Sequence, residues 1–154
     1  MKRATASVVA LALGAAASVL GTSSTASAAA WEVDYATPAS SVQCAYDITY
    51  PGGIGSVCFQ KYGDVWKVGR SYYETSRTSV QWVNQLKNSS GSWVTYREGE
   101  CFNDLGHSTF GTCNKDYYEN SSRNALGGYG SRLAFKACLV SSCSAQSPWV
   151  YNDS

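Results

Sequence analysis

Residues 93–118, WVTYREGECFNDLGHSTFGTCNKDYY, hold two alternating segments on either side of a loop whose base is marked by Cys101 and Cys113. Val94 and Tyr96 fall on one face, and Trp93, Thr95 and Arg97 on the other. That is the period-two pattern of a strand with one buried side. Asn103, Asp104 and Gly106 then bring turn chemistry, and Thr109, Phe110 and Thr112 resume β-type residues. The stretch predicts a β-hairpin stapled by a disulfide, and closing a loop of this size removes about 3 kcal/mol of unfolded-state entropy.

Strand signals continue on both sides of it. Towards the N-terminus, Thr78 to Leu86 puts Val80, Trp82 and Leu86 on one face with Ser79 and Gln81 on the other. Before that, Ser56 to Tyr62 and Asp64 to Val68 are separated only by Gly63, which predicts a tight turn or a bulge. Towards the C-terminus a polar loop spans Glu119 to Ser131. Arg132 to Val140 follows with the cleanest alternation in the chain: Leu133, Phe135, Ala137 and Leu139 inward, Arg132, Ala134 and Lys136 outward. A short strand over Pro148 to Tyr151 ends the pattern. No segment has a helical period, and β-branched and aromatic residues dominate the runs. Seven or so short strands separated by turns predict an all-β, two-sheet antiparallel sandwich of immunoglobulin-like type, with a small barrel as the alternative.

The chain divides into three parts. Residues 1–28 have the form of a secretory signal peptide: Lys2 and Arg3 ahead of an apolar, Ala-rich run, then Ala26-Ser27-Ala28 as a small-x-small cleavage site. A membrane anchor is the competing reading, but the run is short and no stop-transfer charge cluster follows. Residues 29–55 form an extended N-terminal arm broken by Pro38 and Pro51. Residues 56–154 form the sandwich domain. In the arm, Trp31, Val33 and Tyr35 alternate with Glu32 and Asp34, and Tyr46 and Tyr50 follow. This aromatic series reads either as an edge strand covering its own sheet or as a partner-binding arm that adds a strand to another protein.

Without Lys2 and Arg3, the 12 basic residues fall to 10 against 11 acidic ones. A net charge of that size offers no electrostatic footprint for nucleic acid or anionic lipid. The six cysteines, Cys44, Cys58, Cys101, Cys113, Cys138 and Cys143, all lie beyond the signal peptide and predict three disulfides in an extracellular protein. Fifteen pairings are open to six cysteines; the sequence-local set, Cys44 with Cys58, Cys101 with Cys113 and Cys138 with Cys143, is preferred. No CxxC pair is present and the single histidine stands alone, so neither metal nor another cofactor is expected.

Catalytic signatures are equally sparse. His107 sits in a loop with no nucleophile elbow anywhere in the chain. Glu98 and Glu100 share one strand face, with Asp116 and Glu119 just past Cys113, but one face of one strand does not flank a sugar from both sides. The expectation is a non-enzymatic protein. Among the aromatics, Trp66, Trp82 and Trp149 read as core. Tyr72, Tyr73, Tyr117, Tyr118 and Tyr129 sit at loops or strand ends, where with Trp93 they suit sugar stacking or a protein interface.

The motifs GDVWKV, YREGECFN, GTCNKDYYEN, RLAFKAC and SPWVYND resemble those of a group of small secreted actinobacterial β-sandwich proteins, some similar to the adaptor subunit of streptomycete umbrella toxin particles. The likeness covers about Ser56 to Asp153. It implies an adaptor that joins a lectin subunit to a large toxin-bearing polypeptide, with the segment Ala29 to Pro51 docking into a partner's cleft. A carbohydrate- or cell-wall-binding module and a secreted protease inhibitor are the alternative functions.

Overall fold

The computed structural model describes residues 29–40, 44, 46–52, 55–70, 77–140 and 142–153; the expected signal peptide lies outside them. The described chain is all β. Its strands are β1 (Trp31–Tyr35), β2 (Thr37–Pro38), β3 (Tyr46–Thr49), β4 (Ser56–Gln60), β5 (Val65–Gly69), β6 (Thr78–Asn88), β7 (Trp93–Asn103), β8 (Phe110–Asn114), β9 (Gly127–Leu139), β10 (Ser142–Cys143) and β11 (Val150–Tyr151). A six-stranded sheet runs β1-β7-β6-β9-β10, with β11 also on β9, and a five-stranded sheet runs β2-β8-β5-β4-β3. All pairings are antiparallel except β1 with β7, which is parallel.

The expected alternation fixes which side faces the core. From β6, Thr78, Val80, Trp82, Asn84 and Leu86 are buried, and from β9 Leu133, Phe135 and Ala137. From the opposite sheet come Val57, Phe59, Trp66 and Val68. Trp66 packs on Phe59 with ring centroids 4.7 Å apart and meets Phe135 edge-on at 4.9 Å. Its indole N–H donates to the Tyr117 hydroxyl at 2.9 Å, so the one polar atom of the central ring is satisfied without water. Between β4 and β5 the tight turn forms as expected, with Gly63 at φ +80° and the Asp64 N–H donating to the Lys61 carbonyl at 3.1 Å.

The three sequence-local disulfides are present, Cys44–Cys58, Cys101–Cys113 and Cys138–Cys143. The hairpin around Cys101 and Cys113 is not. β7 pairs with β6 and β1, whereas β8 pairs with β5 and β2 in the other sheet, so this bridge crosses the sandwich from sheet to sheet. The segment between the cysteines therefore makes an inter-sheet corner. Asn103 holds it: its side-chain amide donates to the Val68 carbonyl at 2.8 Å, and its Oδ1 accepts the Leu105 N–H at 2.9 Å.

A second departure comes from the register shift opposite Asn84 and Gln85, where Arg97 pairs with Asn84 but Thr95 with Gln85. Tyr96 is the extra residue of a bulge, which reverses the parity of everything after it. Trp93 and Thr95 point outward, but Arg97 points inward with Gly99 and Cys101, off the face the sequence pattern had assigned it.

At the start of the N-terminal arm, Trp31, Val33 and Tyr35 take the edge-strand alternative. β1 is an edge strand of the six-stranded sheet; after Ala36 the chain crosses to the five-stranded sheet as β2, and β3 lies on β4. The described residues of 29–55 thus supply β1 to one sheet and β2 and β3 to the other. Glu32 and Asp34 face inward at the sandwich rim, where Lys115 pairs with both and Arg97 clasps Glu32.

Candidate functional site

Register and parity together determine what the six-stranded sheet shows on its outer face. Three rows cross it from β1 to β9: Trp31, Glu98, Val83 and Ala134; Val33, Glu100, Gln81 and Lys136; Tyr35, Phe102, Ser79 and Cys138. No strand or helix among the described residues covers this face. Trp31, Val33 and Tyr35 are 48, 52 and 60% exposed, a run of large apolar side chains left to solvent.

β1 is seated to make that run rigid. Arg97 donates from Nε and Nη2 to the two Glu32 carboxylate oxygens at 2.6 and 2.9 Å, and Lys115 Nζ donates to Glu32 Oε2 at 2.9 Å while also pairing with Asp34. The Arg97 hydrogen bond, opposed by partial burial and assisted by Lys115, lowers the Glu32 pKa to about 2. Gly99 allows the close approach: a Cβ there would lie 2.4 Å from the Glu32 carbonyl oxygen and 2.9 Å from the Trp82 ring. Beneath, Lys115 Nζ stands 4.9 Å from the Trp82 ring centroid.

Among the described residues, the backbone of β1 is used on one side only. The Ala36 N–H donates to the Phe102 carbonyl at 2.8 Å. In a parallel ladder alternate residues turn their N–H and C=O to the same neighbour. Glu32 and Asp34 therefore bond β7, and Val33 presents its N–H and C=O to the open edge. The other sheet edges are shorter: β10 and β2 have two residues each, β2 ending in Pro38, and β3 has four.

Beside β1, Glu100 Oε1 accepts the Ser79 hydroxyl at 2.6 Å and the Gln81 side-chain amide at 3.4 Å. Arg77 grips Asp104 through two bonds of 2.7 Å and lies over Phe102, its guanidinium carbon 4.6 Å from the ring centroid. At the far end of the face Arg132 sits between Trp93 and Trp149, 4.3 and 4.2 Å from their centroids, and is held by Gln85 Oε1 at 3.0 and 2.7 Å. Trp149, expected in the core, instead caps this stack on the surface.

The five aromatic-arm positions thus separate. Trp31, Val33 and Tyr35 are brought together; Tyr46 lies in β3 of the other sheet; Tyr50 is 2% exposed, its phenol pKa pushed up by burial, and has no surface to offer a partner. Of the tyrosines assigned to surface loops, Tyr117 is a core residue, Tyr118 meets Tyr96 edge-on at 6.1 Å, Tyr129 is exposed, and Tyr72 and Tyr73 lie outside the described residues. His107 is exposed in the corner between β7 and β8. Glu98 and Glu100 lie side by side on one face of β7. Among the described residues no group of three or more His, Cys, Asp or Glu is arranged to hold a metal ion.

One further acid is unusual. Asp64 is almost fully buried with a left-handed backbone, φ +52°. It accepts the Tyr117 N–H at 2.7 Å and the Asn152 side-chain amide at 3.0 Å. Burial raises its pKa to about 6 against those hydrogen bonds, with Glu119 and Asp116 adding repulsion. It ties the β4–β5 turn to the segments before and after β9, which is a structural task.

Glu100 stood out in sequence only as a carboxylate beside Glu98, and Ser79, Gln81 and Phe102 were not marked as a site. The signal that could have found them is parity: they occupy the polar side of two adjacent strands whose other side is core. Comparisons with protein-family models, with curated proteins and with solved structures returned no match.

Proposed function

We propose that this chain is a secreted, non-enzymatic protein-binding adaptor, and that its partner contributes an extended strand to the open edge of β1. The observation that carries this reading is the combination found at Val33: a free backbone edge and a neighbouring row of half-exposed Trp31, Val33 and Tyr35. Exposed edges are normally blunted by shortness, proline or charge. On β1 the inward charges, Glu32 and Asp34, are already paired with Arg97 and Lys115, and the outward positions are apolar. A partner strand would gain main-chain hydrogen bonds from the edge and specificity from the side chains beside it. The three disulfides suit an oxidising, extracellular setting. The partners that the sequence resemblance implies are a lectin subunit and a large toxin-bearing polypeptide.

Docking by a built-in edge differs from docking by a free arm, and Val33→Pro separates the two. It removes the N–H on the open edge while sparing the Glu32 and Asp34 bonds to β7. Tagged wild-type protein is expected to recover a stable partner from culture supernatant, and Val33→Pro to lose it with an unchanged melting curve. Equal recovery by both proteins would refute the edge as the docking site.

A further inference from the structure

Along β6 the outward residues Ser79, Gln81 and Val83 make the floor of a trough about 13 Å long at the rise of a strand. β7 walls one side, and β9 with Val140, Ser142 and Cys143 walls the other. Two neighbouring hollows, of about 670 and 120 Å³, share Gln81 in their linings along this floor. The larger falls within the ~300–1,000 Å³ typical of ligand clefts. The Cys138–Cys143 bridge pins the far wall, so the trough exists before any ligand arrives.

We propose that this trough binds an uncharged oligosaccharide, with Gln81 and Glu100 engaging sugar hydroxyls and Trp31 packing against a ring face. The floor strands are paired on both sides, so their backbone groups are spent in the ladders. Recognition must come from side chains, and these are polar groups held in place. Ser79 and Gln81 both donate to Glu100 Oε1, and neither bond uses Oε2, which is left for an incoming donor. A helix seeking an apolar groove finds a polar floor, and an extended peptide finds no backbone to pair with. A sugar chain brings what the trough matches: a hydroxyl at nearly every carbon and a weakly apolar ring face.

Charge narrows the class. Arg77 is neutralised by Asp104, which leaves the carboxylates of Glu98 and Glu100 against the single ammonium of Lys136. Uronate or sulfated chains would meet net repulsion, whereas neutral and N-acetylated sugars would not. The site goes beyond the adaptor reading: it shares Trp31 with the β1 row, but its hydrogen-bonding groups, Gln81 and Glu100, lie on β6 and β7, off the β1 edge.

The test titrates the disulfide-intact domain with cello-, xylo- and N-acetylchito-oligosaccharides, and with an oligogalacturonate as the anionic arm, read by amide chemical shifts and calorimetry. Saturable binding of an uncharged chain is expected, with shifts centred on Gln81. Gln81→Ala and Glu100→Ala should each weaken it at least about tenfold, since each removes a hydrogen-bonding partner of the ligand. Val33→Pro should leave it unchanged. Should Glu100→Ala lower the melting temperature by freeing Ser79, Gln81→Ala and the shift map still decide. No saturable binding at millimolar sugar, preference for the anionic chain, or undiminished binding in both variants would overturn the proposal. So would an extended peptide that occupies the trough where no sugar does.

Discussion

The two faces of β6 and β7 belong to the same residues read in alternate order, yet they do opposite things. Inward, Val80, Trp82, Leu86 and Cys101 are at most 2% exposed and meet the aromatic layer of the opposite sheet. Outward, the same strands show Ser79, Gln81, Glu98, Glu100 and Phe102, edged by three half-exposed apolar side chains of β1. Stability is concentrated on one side, and surface for recognition on the other. A change of one position along the strand moves a mutation from the first class to the second.

The largest expected effect tests the inner face. Trp82→Ala should cost about 3–5 kcal/mol, because a fully buried indole leaves a cavity and removes the platform under Lys115 and Tyr117. Urea unfolding monitored by circular dichroism measures it, and a loss below about 1 kcal/mol would break the contrast between faces. Next, replacing Cys101 and Cys113 together by Ser should cost about 2–5 kcal/mol. Because this bridge crosses between sheets, the loss should appear as one cooperative transition at lower denaturant, and not as early melting of a local hairpin.

Two inward carboxylates make the contrast depend on pH. Glu32, with its folded pKa lowered to about 2 from 4.5, adds stability that is complete above its unfolded value and fades as pH falls through the folded one. Asp64 has the opposite sign: its folded pKa, raised to about 6 from 3.8, favours the fold when protonated, and this contribution is lost as pH rises from about 4 to about 6. The melting temperature of the wild type should therefore peak near pH 4–5. Asp64→Asn should flatten the alkaline side of that peak, a difference of about 1–3 kcal/mol between pH 4 and pH 7. A melting temperature that keeps rising to pH 7 in the wild type would contradict the assignment for Asp64.

The smallest effect belongs to the outer face. Tyr35→Ala should change stability by no more than about 0.5 kcal/mol in thermal melts, because its ring rests only on Phe102 and under Arg77. The same variant should weaken partner capture. A large drop in melting temperature would place Tyr35 with the core and remove it from the docking row.

Much of this was legible beforehand. Strict alternation in Thr78 to Leu86 and Arg132 to Val140 identified the core face of β6 and β9, since a half-buried strand can satisfy its hydrophobic side in only one parity. The sequence-local disulfide set, preferred among fifteen open pairings, is the one that forms, and Gly63 marked its turn. Reading failed at Tyr96, where one extra residue reversed the face of Arg97; a bulge costs nothing in composition and leaves no mark on a periodicity count. Tyr117 went unrecognised as core because it lies in no strand, and its burial comes from Trp66, distant in sequence.

Composition and period therefore determined, by themselves, that the chain would form short strands with one apolar face, covalently pinned by local bridges. Those are properties of a residue and its near neighbours. Only the tertiary structure decided that the strands flanking Cys101 and Cys113 go to different sheets, that β1 joins β7 in parallel, and that Trp31, Val33, Tyr35, Gln81 and Glu100 share one open surface. Each of those outcomes depends on which distant strand supplies the hydrogen-bonding partner. Backbone donors and acceptors are the same in every residue but proline, so the sequence pattern constrains the face of a strand far more tightly than its neighbour.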